Sequence, residues 1–300
     1  MSGHVEWELY RSLLGVLREG SLSGAARALG VAQPTVGRHV AALEAGLGLA
    51  LFTRSPSGLL PTEAALALRA HAEAMESTAA ALERAAASYG DGVRGVVRVS
   101  VSEVMGVEVM PAILARLRAR HPALKVELVL TNRVQDLLRR EADIAVRMTA
   151  PRQDQLVARR IGAVAIGLYA SPAYLAAHGM PAGAADLARH ALIGYDQPPP
   201  YVREAARTVP AWRRAAFSLR TDSDVAQLAL IRAGAGIGFC QSGLAARAPA
   251  LVRVLPQAFA LAFDTWVTMH EDLRDSPRCR AAFDALAEGL RAYLDGGAAA

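Results

Sequence analysis

The stretch from Ser21 to Phe52 constrains the fold of this chain more than any other part of its sequence. Ser21 can cap a helix by accepting hydrogen bonds from free N–H groups, and apolar residues follow it at helical spacing up to Leu29. Gly30 is suited to end that helix. Pro34 is suited to begin the next one, because a proline in the first turn costs no hydrogen bond. Small alanines allow close packing of the two helices, so the stretch predicts a helix-turn-helix.

The second helix of this pair has two different faces. Four apolar residues at helical spacing predict its buried face: Val36, Val40, Leu43 and Leu47. The opposite face carries Thr35, Arg38, His39 and Ala42, and in a DNA-binding helix-turn-helix such a face enters the major groove. The Pro/Gly/Ser-rich turn after Phe52 is suited to a β-wing, with Arg54 at its base placed to meet a phosphate. We therefore predict five contacts with double-stranded DNA: Gln33, Pro34, Thr35, Arg38 and Arg54.

Residues 19–54, EGSLSGAARALGVAQPTVGRHVAALEAGLGLALFTR, resemble the winged helix-turn-helix of LysR-type transcriptional regulators. The resemblance lies in the small-residue pair after the serine and in Gln33-Pro34, Leu43-Glu44, Leu47-Gly48 and Leu51-Phe52-x-Arg54. The chain departs from the family where Gly37 replaces a usual serine that touches the DNA backbone, and where no second arginine follows Arg54. A helical hairpin without a DNA role is the alternative. The resemblance implies a regulator that reads a DNA operator with dyad symmetry.

An alanine-rich helix is predicted from Thr62 to Tyr89. Leu68, Met75, Leu82 and Tyr89 recur every seven residues, and alanines stand four residues after the first three of them. This heptad pattern favours a dimerisation helix, although a helix packed on its own domain could show the same pattern. The resemblance implies an antiparallel linker helix that pairs two heads in a homodimer or homotetramer.

Beyond a glycine-rich hinge at residues 90–95, strand patterns alternate with helix patterns. The runs VVRVSV, KVELVL and DIAVRM predict strands, and residues 109–120 and 134–140 predict helices between them. Such alternation favours right-handed βαβ units and a parallel sheet. A second, similar round from residue 164 onward predicts two α/β halves with a cleft between them. EADIAVR, IRAGAGIGF and HEDLRDSPRCRAAFDALAEGL resemble the LysR-type effector-binding domain, whose two lobes are similar to periplasmic binding proteins.

Hydroxyl side chains gather at the predicted carboxyl ends of the strands, where parallel α/β sheets bind ligands. Arg147 adds a fixed positive charge that can hold a carboxylate. We therefore expect a small carboxylate-bearing or polar metabolite as effector. The alternative is that serines here cap helices and Arg147 pairs with an acid such as Glu103 or Asp143. The predicted effector contacts are Ser100, Ser102, Thr131, Arg147, Thr149, Asp222 and Ser223.

Charge and the lack of recognisable motifs argue against several other classes of protein. The net charge is +5, but residues 1–62 hold five arginines against four glutamates, so DNA binding depends on where the charges lie. No signal peptide, membrane span, metal-ligand spacing or catalytic motif is recognisable. We therefore expect a cytoplasmic protein without catalytic residues, metal or cofactor, in which Cys240 is a packing residue. An enzyme or a free-standing solute-binding protein built on the α/β part is the alternative function.

The predicted architecture is an N-terminal all-α winged helix-turn-helix followed by an α/β domain. The winged helix-turn-helix covers residues 1–61, the linker helix 62–89, and the two-lobed, periplasmic-binding-protein-like effector domain 95–295.

Overall fold

A computed structural model describes residues 6–55, 58–86, 92–132, 141–151, 155–199, 202–203, 212–247 and 249–296. Contacts divide the chain into two compact units. The first reaches from the N-terminus to Ala86, and the second consists chiefly of the residues after it.

Three helices open the first unit: α1 (Trp7–Glu19), α2 (Leu22–Leu29) and α3 (Gln33–Leu47). The predicted cap of α2 is confirmed, because the Ser21 hydroxyl accepts a hydrogen bond from the Gly24 N–H at 3.1 Å. Gly30 ends the same helix in the left-handed conformation, with φ of 68°. Val36, Val40 and Leu43 of α3 are buried, as their spacing predicts. The helix-turn-helix prediction is thus confirmed.

A two-stranded wing follows α3, formed by β1 (Phe52–Ser55) and β2 (Gly58–Pro61). The Glu44 carboxylate of α3 accepts hydrogen bonds from the N–H groups of Leu51 and Phe52, at 2.7 and 3.2 Å. The Leu59 N–H donates to the Gly20 carbonyl at 3.1 Å, where a Cβ on Gly58 would stand only 2.8 Å from that oxygen. These contacts fix the wing to the helices.

Helix α4 (Glu63–Ala86) places its heptad residues in two different environments. Leu68 packs against the core of the first unit and Ala72 is buried, so the beginning of the predicted seam packs within its own chain. Met75 and Leu82 remain 41% and 73% exposed. Tyr89 lies outside the described residues.

The second unit begins with three parallel strands, β3 (Gly95–Val101), β4 (Leu124–Leu130) and β5 (Ile144–Arg147). Helices α5 (Glu103–Glu108) and α6 (Met110–Arg120) connect β3 to β4. This part confirms the predicted βαβ pattern, and β3 lies between β5 and β4 in the sheet. The helix predicted at residues 134–140 lies outside the described residues.

The rest of the second unit consists of strands and helices of very different lengths. In chain order they are β6 (Leu156–Ala170), α7 (Pro172–His178), β7 (Ile193–Gly194), β8 (Leu219–Arg220), α8 (Asp224–Arg232), β9 (Gly238–Gln241), α9 (Ser242–Ala245), β10 (Val252–Val254), β11 (Ala260–His270) and α10 (Pro277–Leu294). Short 3₁₀-helices span Ala184–Arg189, Arg214–Ala216 and Glu271–Leu273. Among the described helices, none is long and apolar enough to cross a membrane.

The prediction of a parallel sheet is wrong for the second half of this unit. Strands β6 and β11 pair antiparallel along their lengths, and β11 also pairs antiparallel with β5. The sheet is therefore mixed, in the order β10-β6-β11-β5-β3-β4, with β9 also paired to β6. Strand direction follows from how distant segments meet, and hydrophobic alternation carries no information about it.

Two hydrophobic cores give the second unit its two lobes. The first core packs α5, α6 and α10 on the parallel strands, with Leu117 and Leu286 fully or nearly fully buried. The second includes Leu168 and Ile237, with Trp212 packed among them. Because β6 contributes Ile161 to the first core and Leu168 to the second, a continuous strand joins the two lobes.

The Glu44 contacts lead to a prediction for the wing. Glu44→Ala removes a carboxylate that accepts two backbone N–H groups, and each hydrogen bond to a charged group contributes about 1.5–3 kcal/mol. Amide hydrogen exchange in residues 48–55 should accelerate by about tenfold or more, since each 1.4 kcal/mol is about a factor of ten. Glu73→Ala, which removes an exposed ion pair with Arg69, should leave that exchange unchanged. Equal protection in both variants would show that Glu44 does not hold the wing.

Candidate DNA-reading face and ligand cavity

The outer face of α3 presents polar side chains at its N-terminal end. Gln33, Pro34 and Arg38 are exposed, and Thr35 is half-buried. The Arg38 guanidinium lies 3.4 Å from the Thr35 hydroxyl, to which it donates. Arg54 is also exposed, on β1 opposite Leu59. The structure thus places all five predicted DNA contacts on the surface of the first unit, four of them on one helix.

His39, expected on the same outer face, turns toward α1 instead. Its Nδ1 atom lies 2.8 Å from the hydroxyl of Ser12, which is only 2% exposed. A serine hydroxyl buried against a helix gains a hydrogen-bond partner in this way, so His39 links α3 to α1. The expectation that His39 faces outward is wrong.

A cavity of about 160 Å³ opens in the second unit. Most of its lining is apolar, and the polar part comes from strand ends and from the beginning of α8. The apolar residues that line it are Val104, Met105, Val146, Met148, Ile166, Val202, Trp212, Leu228, Phe239, Leu244, Leu261 and Phe263. The polar residues are Ser102, Thr131, Asn132, Arg147, Thr149, Tyr195, Asp224, Gln227, Cys240, Gln241 and Thr265.

Four of the seven predicted effector contacts line this cavity: Ser102, Thr131, Arg147 and Thr149. They lie at or just after the carboxyl ends of β3, β4 and β5. Because Val101 pairs with Leu130, and Ser100 with Ala145, the residues Arg147, Ser102 and Thr131 are level with one another across the sheet edge. The parallel strands therefore bring together hydroxyl groups and a guanidinium that stand far apart in sequence.

Ser100 acts behind this edge rather than in it. Its side chain is fully buried, and its hydroxyl accepts a hydrogen bond of 2.7 Å from the Arg147 guanidinium. Arg147 also donates to the Val146 carbonyl at 2.8 Å. The predicted effector contact at Ser100 is corrected accordingly: Ser100 is not among the lining residues, and it orients Arg147 because a fully buried hydroxyl needs a partner.

Asp222 and Ser223 also lie outside the lining. The Asp222 carboxylate is exposed and accepts the Gln197 N–H at 2.7 Å. The Ser223 hydroxyl donates to the Glu103 carboxylate at 2.9 Å and lies 3.4 Å from the Ala226 N–H as the cap of α8. Both side chains therefore have structural partners, as the capping alternative anticipated for Ser223.

Asp224, the next residue, is the acid that reaches the cavity. Burial raises the pKa of its carboxyl, and the negative charge of Glu103 raises it further, whereas hydrogen bonds from Tyr195 and Asn132 lower it. The Tyr195 hydroxyl donates to one Asp224 oxygen. Sequence reasoning missed Asp224 and Tyr195. The sequence offered one signal for Asp224, namely an acid in the first turn of a helix that follows a strand. It offered no signal for Tyr195.

A hydrogen bond at its beginning and an ion pair at its end hold α8 against α5. Besides the bond between Ser223 and Glu103 at its beginning, Arg232 near its end forms a two-bond ion pair with Glu108, at 2.6 and 3.0 Å. Hydrogen bonding from Arg232 lowers the pKa of the Glu108 carboxyl. Attachment at both ends determines where α8 places the Asp224 side chain.

Cys240 and Gln241 line the cavity from β9. Burial raises the pKa of the Cys240 thiol to about 12. The Gln241 side chain accepts a hydrogen bond of 2.8 Å from the Tyr293 hydroxyl. Gln241 thus connects β9 to α10. In the described part of the chain, no three His, Cys, Asp or Glu side chains are grouped so that they could hold a metal ion.

A helix-turn-helix with a wing and, in the same chain, a two-lobed α/β domain with a cavity are the two parts that define the class of regulators with a helix-turn-helix head and a substrate-binding-type domain. Two family profiles match the chain. "Bacterial regulatory helix-turn-helix protein, lysR family" covers residues 7–66, and "LysR substrate binding domain" covers residues 90–291. The chain belongs to the LysR family, whose members are DNA-binding transcriptional regulators and not enzymes.

Relatives of established description agree with this assignment. An HTH-type transcriptional regulator of Xanthomonas campestris pv. campestris (strain 8004) is 32% identical over 166 residues, which are 55% of this chain and 48% of that protein. The HTH-type transcriptional regulator CrgA of Neisseria meningitidis serogroup C (strain 8013) is 31% identical over 183 residues, 61% of each chain. The alignments thus span about half to three-fifths of these relatives.

Solved structures show the same fold. Full-length CbnR, crystallised in complex with its target DNA, matches with a TM-score of 0.66 at 22% identity, covering 96% of this chain and 99% of CbnR. At this level of identity the likeness concerns the fold alone.

The environment of Cys240 leads to a prediction about thiol chemistry. A pKa raised to about 12 leaves less thiolate at pH 7, and the thiolate is the reactive form. In a Cys279→Ala variant, Cys240 of the native chain should react with Ellman's reagent at pH 7 about a thousandfold more slowly than an ordinary exposed thiol. Unfolding in guanidinium should restore normal reactivity. Fast labelling of the native variant would show that Cys240 is ionised or accessible.

Proposed function

We propose that this chain is a cytoplasmic, homo-oligomeric transcription factor that binds a dyad-symmetric DNA operator and responds to a small anionic metabolite. The observation that carries the DNA part is the exposed face of α3, whose opposite face is buried through Val36, Val40 and Leu43. Burial of one face fixes the rotation of the helix, so the polar side chains project outward. CbnR, which has the same fold, was crystallised with its target DNA, and this supports the proposal.

In the proposed complex the N-terminal half of α3 enters the major groove. Arg38 can offer two donors to a guanine edge, and Gln33 and Thr35 can contact bases or phosphates beside it. Arg54, on the wing strand β1, meets the DNA backbone. Phosphate contacts position the protein, whereas base contacts give sequence preference. Arg38 and Arg54 therefore have different roles, which mutation can separate.

Assembly is proposed to occur through the exposed part of α4. Met75 and Leu82 are seven residues apart and lie on one face of the helix, and both are exposed in the single chain. Two such helices can bury these side chains against each other, as heptad residues do in paired helices. Two heads joined in this way would read two half-sites about one helical turn of DNA apart, or a multiple of it.

The cavity of the second unit is the proposed effector site. Arg147 would bind the anionic group, with Ser102, Thr131 and Thr149 as hydroxyl partners along the same sheet edge. A ligand can shift the arrangement of the heads only if it binds two arrangements of the protein with different affinities. The two lobes are joined through β6 and β11. A ligand bound between them would change the position of one lobe relative to the other.

The first prediction of the proposed function separates base reading from phosphate contact. Arg38→Ala should weaken binding to the cognate operator by about 1–3 kcal/mol and relax base preference at one position. Arg54→Ala should weaken binding to all sequences alike and lower the slope of affinity against salt by about one. Gel-shift titrations on cognate and scrambled DNA at several salt concentrations measure both effects. Intact specific binding by the Arg38 variant would contradict the assignment of the reading face.

The second prediction concerns assembly. Leu82→Asp should leave the single chain folded, because Leu82 is 73% exposed there, but it should place an unpaired charge in the contact between two α4 helices, which is strongly unfavourable. Light scattering should show smaller species, and operator affinity should fall.

A matched control for this variant is Ala70→Asp, an exposed position about 120° around the helix from Leu82, at about 100° per residue. It adds the same charge outside the proposed contact and should leave the mass unchanged. An unchanged mass for Leu82→Asp would show that α4 does not mediate assembly.

A further inference from the structure

We propose that the cavity holds its ligand through an uncharged amide group, whose N–H donates a hydrogen bond to the Gln227 side chain and whose carbonyl accepts one from the Gln241 side chain. This inference rests on the proposed function, in which the cavity is the effector site, and adds a second recognition element to the anionic group named there. Two observations carry it. Both glutamines line the cavity although each is only 5% exposed, and each has one half of its amide bound within the protein.

Gln241 reaches the cavity from the sheet. It pairs with Ile166 of β6, and Ile166 pairs with Leu261 of β11. Residues directly opposite each other on antiparallel strands point to the same face of a sheet. All three residues of this row line the cavity. The pairing of the strands therefore directs the Gln241 side chain to the cavity face.

The bond to Tyr293 determines which half of the Gln241 amide is available to a ligand. The Tyr293 hydroxyl donates to Oε1 of Gln241 at 2.8 Å and has no other acceptor among the described residues. This orientation of the amide is favoured because the buried hydroxyl hydrogen is then paired. Within the described part of the chain, no group accepts a hydrogen bond from Nε2. Gln241 thus offers N–H donors on the cavity face of β9.

Gln227 reaches the cavity from α8. Asp224, Gln227 and Leu228 line it together, and their positions i, i+3 and i+4 place them on one face of the helix. The Gln227 amide nitrogen donates to the Thr221 carbonyl at 3.1 Å. A carbonyl can only accept, so this bond fixes the orientation of the amide. Because no described residue donates to Oε1 of Gln227, this atom supplies an acceptor.

Both glutamines lie at the same edge of the strands around α8. Strand β8 precedes this helix and β9 follows it, and parallel pairing through residues 192–194 gives the two strands the same direction. Helix α8 therefore runs back against both strands, as in a βαβ unit. The beginning of α8 and the end of β9 then lie at the carboxyl edge of the strands, where α/β folds bind ligands. Gln227 and Gln241 occupy these two positions.

An amide is the group that satisfies both glutamines. Its N–H can donate to Gln227, and its carbonyl can accept from Gln241. A carboxylate has no donor for Gln227, and an ammonium group has no acceptor for Gln241. A hydroxyl group carries both roles on one oxygen, so it would need both glutamine atoms within hydrogen-bond distance of that oxygen. An amide carries the two roles on separate atoms, and it is the class that we infer.

The walls of the cavity favour a compact, apolar remainder of the ligand. Trp212 and Phe239 line the cavity and form an edge-to-face pair, with ring centroids 4.6 Å apart. The volume of the cavity is about 160 Å³, and an apolar protein cavity of about 150 Å³ accommodates benzene. Aromatic side chains also pack well against a flat ring. Benzamide, a single ring that carries an amide, is therefore a suitable probe.

Isothermal titration calorimetry on the full chain tests this inference with probes of similar size. Benzamide carries both amide groups, acetophenone replaces the NH₂ group by a methyl group, and benzyl alcohol carries a hydroxyl group instead of the amide. Wild type should bind benzamide at least about fivefold more tightly than acetophenone, because the methyl group leaves the buried Gln227 acceptor without a partner. Benzamide should also bind more tightly than benzyl alcohol.

Two variants separate the roles of the glutamines. Gln227→Met should reduce the ratio of affinities for benzamide and acetophenone to about one, because only benzamide loses a partner. Gln241→Met should weaken both probes by the same factor and keep their ratio, because both carry the carbonyl. Gln257→Met is the matched control, since Gln257 is exposed and does not line the cavity. This control should keep the wild-type affinities, and circular dichroism should show that all variants are folded.

The outcomes separate the amide from the proposed function. The inference is overturned if wild type does not bind benzamide at millimolar concentration, if it binds acetophenone or benzyl alcohol equally well, or if Gln227→Met keeps the preference for benzamide. The wild-type comparison decides the matter even if a variant does not fold. Benzoate and gel shifts without any probe, measured in parallel, test the anionic effector and the DNA function independently. Binding of benzoate or of operator DNA, without a preference for benzamide, would refute the amide alone.

Discussion

The antiparallel pairing of β6 with β11 is the interaction on which the second unit depends. Eleven residue pairs connect the two strands, with one irregularity between Thr265 and Trp266. Within this paired stretch β6 contributes Ile161 to the first hydrophobic core, and just beyond it β6 contributes Leu168 to the second, so one strand continues from the ladder into the second lobe. Ile166 of β6 and Phe263 of β11 line the cavity on this ladder. The same pairing that joins the lobes therefore forms a wall of the cavity.

The first unit could be predicted from sequence because its interactions are local. Ser21, Gly30 and Pro34 mark the helix ends through effects that act within one turn. The spacing of Val36, Val40 and Leu43 fixes which face of α3 is buried, and hence which face is exposed. His39 is the exception, because its partner Ser12 lies 27 residues earlier and no local pattern reveals such a bond.

The cavity could be predicted only in part, for a related reason. Strand ends with hydroxyl groups indicated Ser102, Thr131 and Thr149, because parallel strands bring their carboxyl ends to one edge. Which of two neighbouring side chains points into the cavity depends on how the strand or helix is rotated about its own axis. Sequence patterns favoured Ser223 where the structure places Asp224, and Ser100 where the structure shows a buried support for Arg147. Antiparallel pairing of β6 and β11 depends on contacts across about 100 residues of sequence, which hydrophobic alternation does not encode.

The central claim is that two copies of the α3 face read paired half-sites on DNA. Selection of bound fragments from random-sequence DNA by the full chain tests it most directly, since the protein itself then picks out the operator sequence. The enriched sequences should contain an inverted repeat whose half-site centres are about 10 base pairs apart or a multiple of that distance. Enrichment of a single unrepeated site, or no enrichment above random DNA, would contradict the claim.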